Sequence, residues 1–150
     1  LILIVNLLTV DLSVQLQKYK YSFYNCIILS IKMNIVLSTR KKWLDAIHNR
    51  NLYNILDCYH KNNTFKGTLS KKVTYNMDGL RSYFGNLLQM KPSVTFIKSD
   101  LKKIGDLYFD SGIYVFTFSS SKQLSANYQF VYRIKNGESK IVSHFSSSIE

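Results

Sequence analysis

Three side chains are of a type that moves protons or holds a nucleophile. They are His144 in "KIVSHFSSS", Asp110 in "YFDSG" and Cys58 in "LDCYHK". An imidazole titrates near neutral pH, so His144 is the candidate general base, with Ser146 and nearby tyrosine hydroxyls as donors to a developing oxyanion. On a strand, alternation sends His144 and Ser146 one way and Phe145 the other. The expectation is that His144 and Ser146 face a pocket and Phe145 faces outward. The competing reading makes His144 a core histidine bonded to a tyrosine or to backbone. Asp110 precedes Ser111 and Gly112, and this reads as a turn, with an acid at a pocket mouth as the other possibility. Cys58, at the end of a helical pattern, reads as a small buried apolar residue. His48, His60 and His144 are too far apart for a recognisable metal motif, and neither a glycine-rich phosphate loop nor a G-x-S-x-G elbow occurs. The sequence implies no metal and no cofactor.

The elements that position these residues follow from periodicity. Trp43 and Ile47 lie four apart, and Ser38 is the expected cap of a first helix. Leu52, Ile55, Leu56 and Tyr59 repeat the same spacing in a second, short helix. A short strand is expected over 64–69. Asp78 is the expected cap of a third helix carrying Leu80, Phe84, Leu87 and Leu88, and Pro92 forbids its continuation. From there the period is two, in four segments separated by "KKIGD", "SSSKQL" and "KNGE". Asn136-Gly137 predicts a type I′ hairpin. Helices first and strands after give an α+β fold, an antiparallel meander curved over helices.

Along the meander Tyr108, Tyr114, Phe116, Phe118, Tyr128, Phe130 and Tyr132 share one parity and therefore one face. Most are core. A pocket walled by Tyr108, Tyr114, Tyr128 and Phe130, closed by Tyr83 and holding His144 and Ser146, would suit a small, apolar or aromatic ligand.

The 150 residues are 46% hydrophobic, enough for one core, and carry a net charge of +11. The basic residues form short, separated clusters (Arg40–Lys42, Lys71-Lys72, Lys102-Lys103) rather than a stripe, so nucleic acid is not the expected partner. The first methionine is Met33. Residues 1–32 are expected to be a leader upstream of the start at Met33, with the domain over 33–150. Asn6, Asp11, Lys18 and Lys20 interrupt the apolar opening, which predicts no membrane span. With Cys26 in the leader and Cys58 alone in the domain, no internal disulfide is expected and a reducing, cytoplasmic setting fits.

The segments "WLDAIHNRNLYNILDCYHKNNTFKGTLS", "GLRSYFGNLL", "GIYVFTF" and "YQFVYRIKNGESKIVSHFSSS" resemble the SnoaL-like branch of the nuclear transport factor 2-like superfamily. The resemblance is to the calcium/calmodulin-dependent protein kinase II association domain and its free-standing single-domain relatives, over about residues 39–148. It implies a cystatin-like α+β roll, a cone-shaped, strongly curved antiparallel sheet wrapped around N-terminal helices. It also implies self-association into a dimer or larger homo-oligomer, a small-molecule site, and no kinase activity. Isomerases, dehydratases and cyclases share the fold, so an enzyme using His144 as base is the alternative. Free-standing relatives often end in His-His-Ser-Ser, where this chain has "HFSS", with Phe145 in place of the second histidine. The kinase association domain's pocket strands carry arginines, where this chain reads "YVFTF" and "YQFVY".

Overall fold

The structure, a computed structural model, describes residues 2–149, with side chains from residue 11 onward. The chain divides into two compact units, Leu1–Asn34 and Ile35–Glu150. The first unit is helical from Ile2. Its apolar side chains Leu12, Leu16, Tyr19, Phe23 and Ile28 are exposed. By length and composition alone, Asp11–His48 is long and apolar enough to cross a membrane, a property that N-terminal signal sequences share.

In the second unit the order is the end of α1 (Ile2–His48), α2 (Leu52–Asp57), β1 (Tyr59–Lys66), α3 (Met77–Gln89) and then β2 (Ser93–Ile104), β3 (Leu107–Thr117), β4 (Gln123–Lys135) and β5 (Glu138–Ser148). Ser38 does not cap a helix. No glycine or proline interrupts the run before it, upstream carbonyls accept the N–H groups a cap would serve, and α1 passes straight through. α1 ends at His48, Arg50 takes φ +54° in the turn that follows, and Asn51 caps α2 by accepting the Asn54 N–H at 3.0 Å. Asn76, not Asp78, caps α3, accepting the Gly79 N–H at 2.9 Å, and Asp78 sits in the first turn.

β2 to β5 form the antiparallel meander expected from the period of two, in the spatial order β1-β5-β4-β3-β2. Asn136 and Gly137 both take positive φ, +52° and +77°, as a type I′ hairpin requires. β1 begins five residues earlier than the predicted strand, at Tyr59, and pairs parallel to β5. Two irregularities bend the sheet. Ile97 is an extra residue in β2, and Val142 is an extra residue in β5, since Tyr132 pairs with Ile141 and Val131 with Ser143. Gly112 permits the first bend: a Cβ there would lie 1.9 Å from the Lys98 carbonyl oxygen. The second shifts Ile141, which strict alternation would set on the side of Phe145. Ile141 points inward with His144 and Ser146, while Phe145 points out.

The resulting curved sheet encloses the end of α1 together with α3. Trp43, fully buried, is the centre, with ring centroids of Phe130 at 5.3 Å, His144 at 6.0 Å, Phe84 and Phe96 at 6.3 Å and Tyr114 at 6.4 Å. The aromatic parity read from the meander is the inner face of the sheet, and these rings fill it. At about 1.5–3 kcal/mol for each large apolar side chain fully buried, they dominate the unit's stability.

Candidate functional site

Within this aromatic interior, polar side chains gather in three places. The first is built on His144. β5 delivers it inward from beside Phe130, its register partner, whose ring centroid is 4.2 Å away. Its Nδ1 lies 2.7 Å from the Tyr59 hydroxyl, which in turn accepts the Trp43 indole N–H at 3.1 Å. An indole only donates, so the Tyr59 oxygen is the acceptor there, and among the described residues His144 Nδ1 is the one acceptor within reach of the Tyr59 proton. The imidazole is therefore neutral, with its own proton on Nε2, which is buried with no hydrogen-bond partner among the described residues. Burial pushes the His144 pKa down to about 3 and raises that of Tyr59 well above the ordinary tyrosine value. A base so weakened transfers protons poorly at neutral pH.

The second group is charged, and periodicity alone did not assemble it. Asp110 is not in a turn: β3 runs through it without a break, and its carboxyl is fully buried. Arg40 of α1 reaches Asp110 Oδ2 at 3.0 Å while also bonding Ser99. Ser99 donates to Asp110 Oδ1 at 2.8 Å and Tyr128 donates to the same oxygen at 3.0 Å. The Arg40 guanidinium lies 5.0 Å from the Phe96 ring centroid and its side chain keeps 23% exposure, so the group opens at the rim of the cone. One signal for Asp110 was available: it shares the parity of Tyr108 and Tyr114, and hence the inner face. Nothing in sequence spacing pairs it with Arg40, seventy residues away.

The third group lies where the end of β5 meets the segment after β1. Thr68 bonds the Tyr114 hydroxyl at 3.1 Å and Ser146 Oγ at 2.9 Å. Tyr83, half-buried on α3, accepts the Leu69 N–H at 3.4 Å beside them. Tyr114 stacks on Tyr128 at 5.0 Å and so joins this group to the second. Burial raises Tyr128 to about 12 and Tyr114 further.

The residues expected at a pocket are thus distributed. Tyr83, Tyr114 and Ser146 come together, Tyr128 belongs with Asp110, and His144 and Phe130 sit deeper against Trp43. Tyr108 is on the same face opposite Tyr132 and belongs to none of the three groups. Cys58 is buried, and burial raises its thiol to about 12, which leaves it unreactive. The three histidines take separate partners: His48 accepts the Val94 N–H at 3.0 Å, and His60 accepts that of Asn62 at 3.1 Å. Tyr59, Thr68, Ser99 and Arg40 are the site residues that periodicity did not flag as such.

Residues 32–150 match the calcium/calmodulin dependent protein kinase II association domain family. The chain belongs to that family. Among solved structures, it is 26% identical to a protein from Xanthomonas campestris assigned to the same association domains, with a TM-score of 0.69 over 76% of this chain and 85% of that one. A nuclear transport factor 2-like protein from Pseudomonas putida KT2440 shares the fold at 12% identity, with a TM-score of 0.67 over 75% of this chain and 82% of that one. A cystatin-like protein from Nostoc punctiforme does so at 11%, with a TM-score of 0.65 over 76% and 88%. No curated protein matches. As an association-domain family member, the chain has the α+β cone of the SnoaL-like and nuclear transport factor 2-like superfamily. Its inner strands carry no arginine in "YVFTF" or "YQFVY", and the guanidinium in its cone comes from the helix instead, at Arg40.

Proposed function

We propose that this chain is an association domain that assembles with copies of itself through the outer face of its sheet. The observation that carries the reading is the contrast between the two faces. The inner face is filled by its own rings, so the core needs no further cover. The outer face presents Phe109, Ile113 and Val115 of β3 and Val142 of β5 half-buried, and Phe145 of β5 38% exposed. β4 lies between these strands, with Val131 in register with Phe109 and Gln129 with Phe145, so apolar groups continue across the face beside a polar one. The family's association role agrees with this. Light scattering at micromolar protein should give a mass above that of one chain. Phe145→Ser should shift the equilibrium toward monomer by about 1–3 kcal/mol. A wild-type monomer under these conditions would overturn the reading.

A second reading, a small apolar or aromatic ligand at the cone mouth, is favoured by the meeting of the Thr68, Tyr114 and Ser146 hydroxyls beside Tyr83. These are polar groups converging among aromatic walls, as small-molecule sites require. Base catalysis by His144 receives less support, because the Nδ1 lone pair is taken by the Tyr59 hydroxyl, the ring is enclosed, and burial weakens its basicity.

A further inference from the structure

We propose that the turn at residues 67–70 is a plug closing the mouth of the cone, and that a phenol-sized, hydroxyl-bearing ligand binds by displacing it; this rests on the ligand-binding reading above. Residues 67–73 leave the sheet and return. Phe65 and Thr74 exchange two backbone hydrogen bonds of 2.8 Å, which pin both ends of the excursion. Such a compact loop with joined ends moves as a body. Its internal bonds are self-contained: the Ser70 N–H donates to the Gly67 carbonyl at 2.9 Å, and the Ser70 hydroxyl donates to the Lys72 carbonyl at 2.8 Å. None of these breaks if the turn swings out.

Few contacts hold the tip in place. Thr68 makes its two hydroxyl bonds, to Tyr114 and Ser146, and the Tyr83 hydroxyl takes backbone bonds from Thr68 and, at 3.4 Å, from Leu69. Neutral bonds of this kind are individually weak anchors. Leu69 is 50% exposed and adds no apolar anchor. Gly67 lies directly against Tyr83, where a Cβ would come within 2.2 Å of the ring, so the turn fits only because that side chain is missing.

Beneath the tip, the Tyr114 ring contacts Tyr128 at 5.0 Å and Phe116 at 5.1 Å. Withdrawal of Thr68 frees the Tyr114 hydroxyl and one lone pair of Ser146, whose proton stays with the Lys66 carbonyl at 3.4 Å, beside the Tyr114 and Phe116 rings, which meet edge to face. The group that replaces Thr68 must therefore supply one hydroxyl to that pair and a ring to pack against those rings. A phenol meets both requirements.

The test titrates phenol into the full chain and reads affinity by calorimetry together with amide hydrogen exchange. Binding should raise exchange at residues 68–72 and leave Phe65 and Thr74 protected. Thr68→Val, which removes both hydroxyl bonds, should bind phenol about tenfold tighter because the open state is no longer penalised. Thr68→Ser should behave as wild type. Gly67→Ala, which forces the turn and Tyr83 apart, should tighten binding as well and serves if Thr68→Val does not fold. Phenol binding with unchanged exchange and equal affinity in these variants overturns the plug but leaves the ligand reading standing. No binding by wild type or by either opened variant, all shown folded by near-ultraviolet circular dichroism, overturns both.

Discussion

The His144 group and the Asp110 group lie inside the same cone, yet they solve the burial of polar atoms in opposite ways. Around His144 every partner is neutral: indole, phenol and imidazole hand one chain of hydrogen bonds inward, and burial keeps the imidazole uncharged. Around Asp110 the carboxylate is as deeply buried, but a guanidinium from α1, a serine and a tyrosine satisfy its oxygens, and Arg40 keeps contact with solvent. A neutral chain can lie at the centre because little is lost by desolvating it once it is paired. A charge pair belongs at the rim, where one partner stays hydrated. The difference teaches that polarity in this fold is graded outward from Trp43.

The largest test of that contrast removes the cation. Arg40→Met leaves a fully buried carboxylate without its ion pair and should destabilise the domain by about 3–5 kcal/mol in urea denaturation. Asp110→Asn should cost less, because the stranded partner is then an arginine that water can reach. Equal costs would break the comparison. Next, Tyr59→Phe removes the hydroxyl that joins Trp43 to His144, at an expected cost of about 1–3 kcal/mol by the same measurement. A cost near zero would show that the chain is not a stabilising unit.

The smallest effect, taken per pH unit, is a pH dependence. His144 has a folded pKa of about 3, below its ordinary value of 6.5, so the folded state binds the proton less readily than the unfolded one. Its contribution is fully present above pH 6.5 and is lost as pH falls from there toward 3, by at most about 1.4 kcal/mol per pH unit. Denaturation curves across that range should show the loss, and His144→Gln, which can still accept from Tyr59, should flatten it. An unchanged slope in the variant would assign the dependence to other groups.

Much of the architecture was legible in residue spacing. The period of two from Ser93 onward placed the meander and its aromatic face, and Asn136-Gly137 placed a hairpin of the expected type. The parallel pairing of β1 was not legible, because a strand that loops out between Tyr59 and Thr64 carries too short an alternation to register. Nor was the cap at Asn76, where two acceptors two residues apart compete for the same N–H groups. For the site, alternation put Ser146 and His144 inward and Phe145 outward. It could not join Arg40 to Asp110 or Trp43 to Tyr59, since those pairings depend on how helix and sheet dock rather than on any local period. The turn expected at Asp110 failed for a related reason. Ser111-Gly112 reads as a turn in isolation, whereas the glycine serves the close approach of Lys98 within a continuous strand.

The extra residue at Val142 has a consequence for how the strand tolerates change in length. Because Ile141 and His144 both point inward across two intervening residues, β5 carries one residue of slack. Loss of Val142 or of Ser143 would leave a strictly alternating strand that still delivers both side chains to the interior. A gain of one residue there would set Ile141 and His144 four apart, again on one face, but would leave two residues of β5 without partners on β4. A change of one residue in either direction therefore keeps both side chains inward, and only shortening does so with the ladder unbroken.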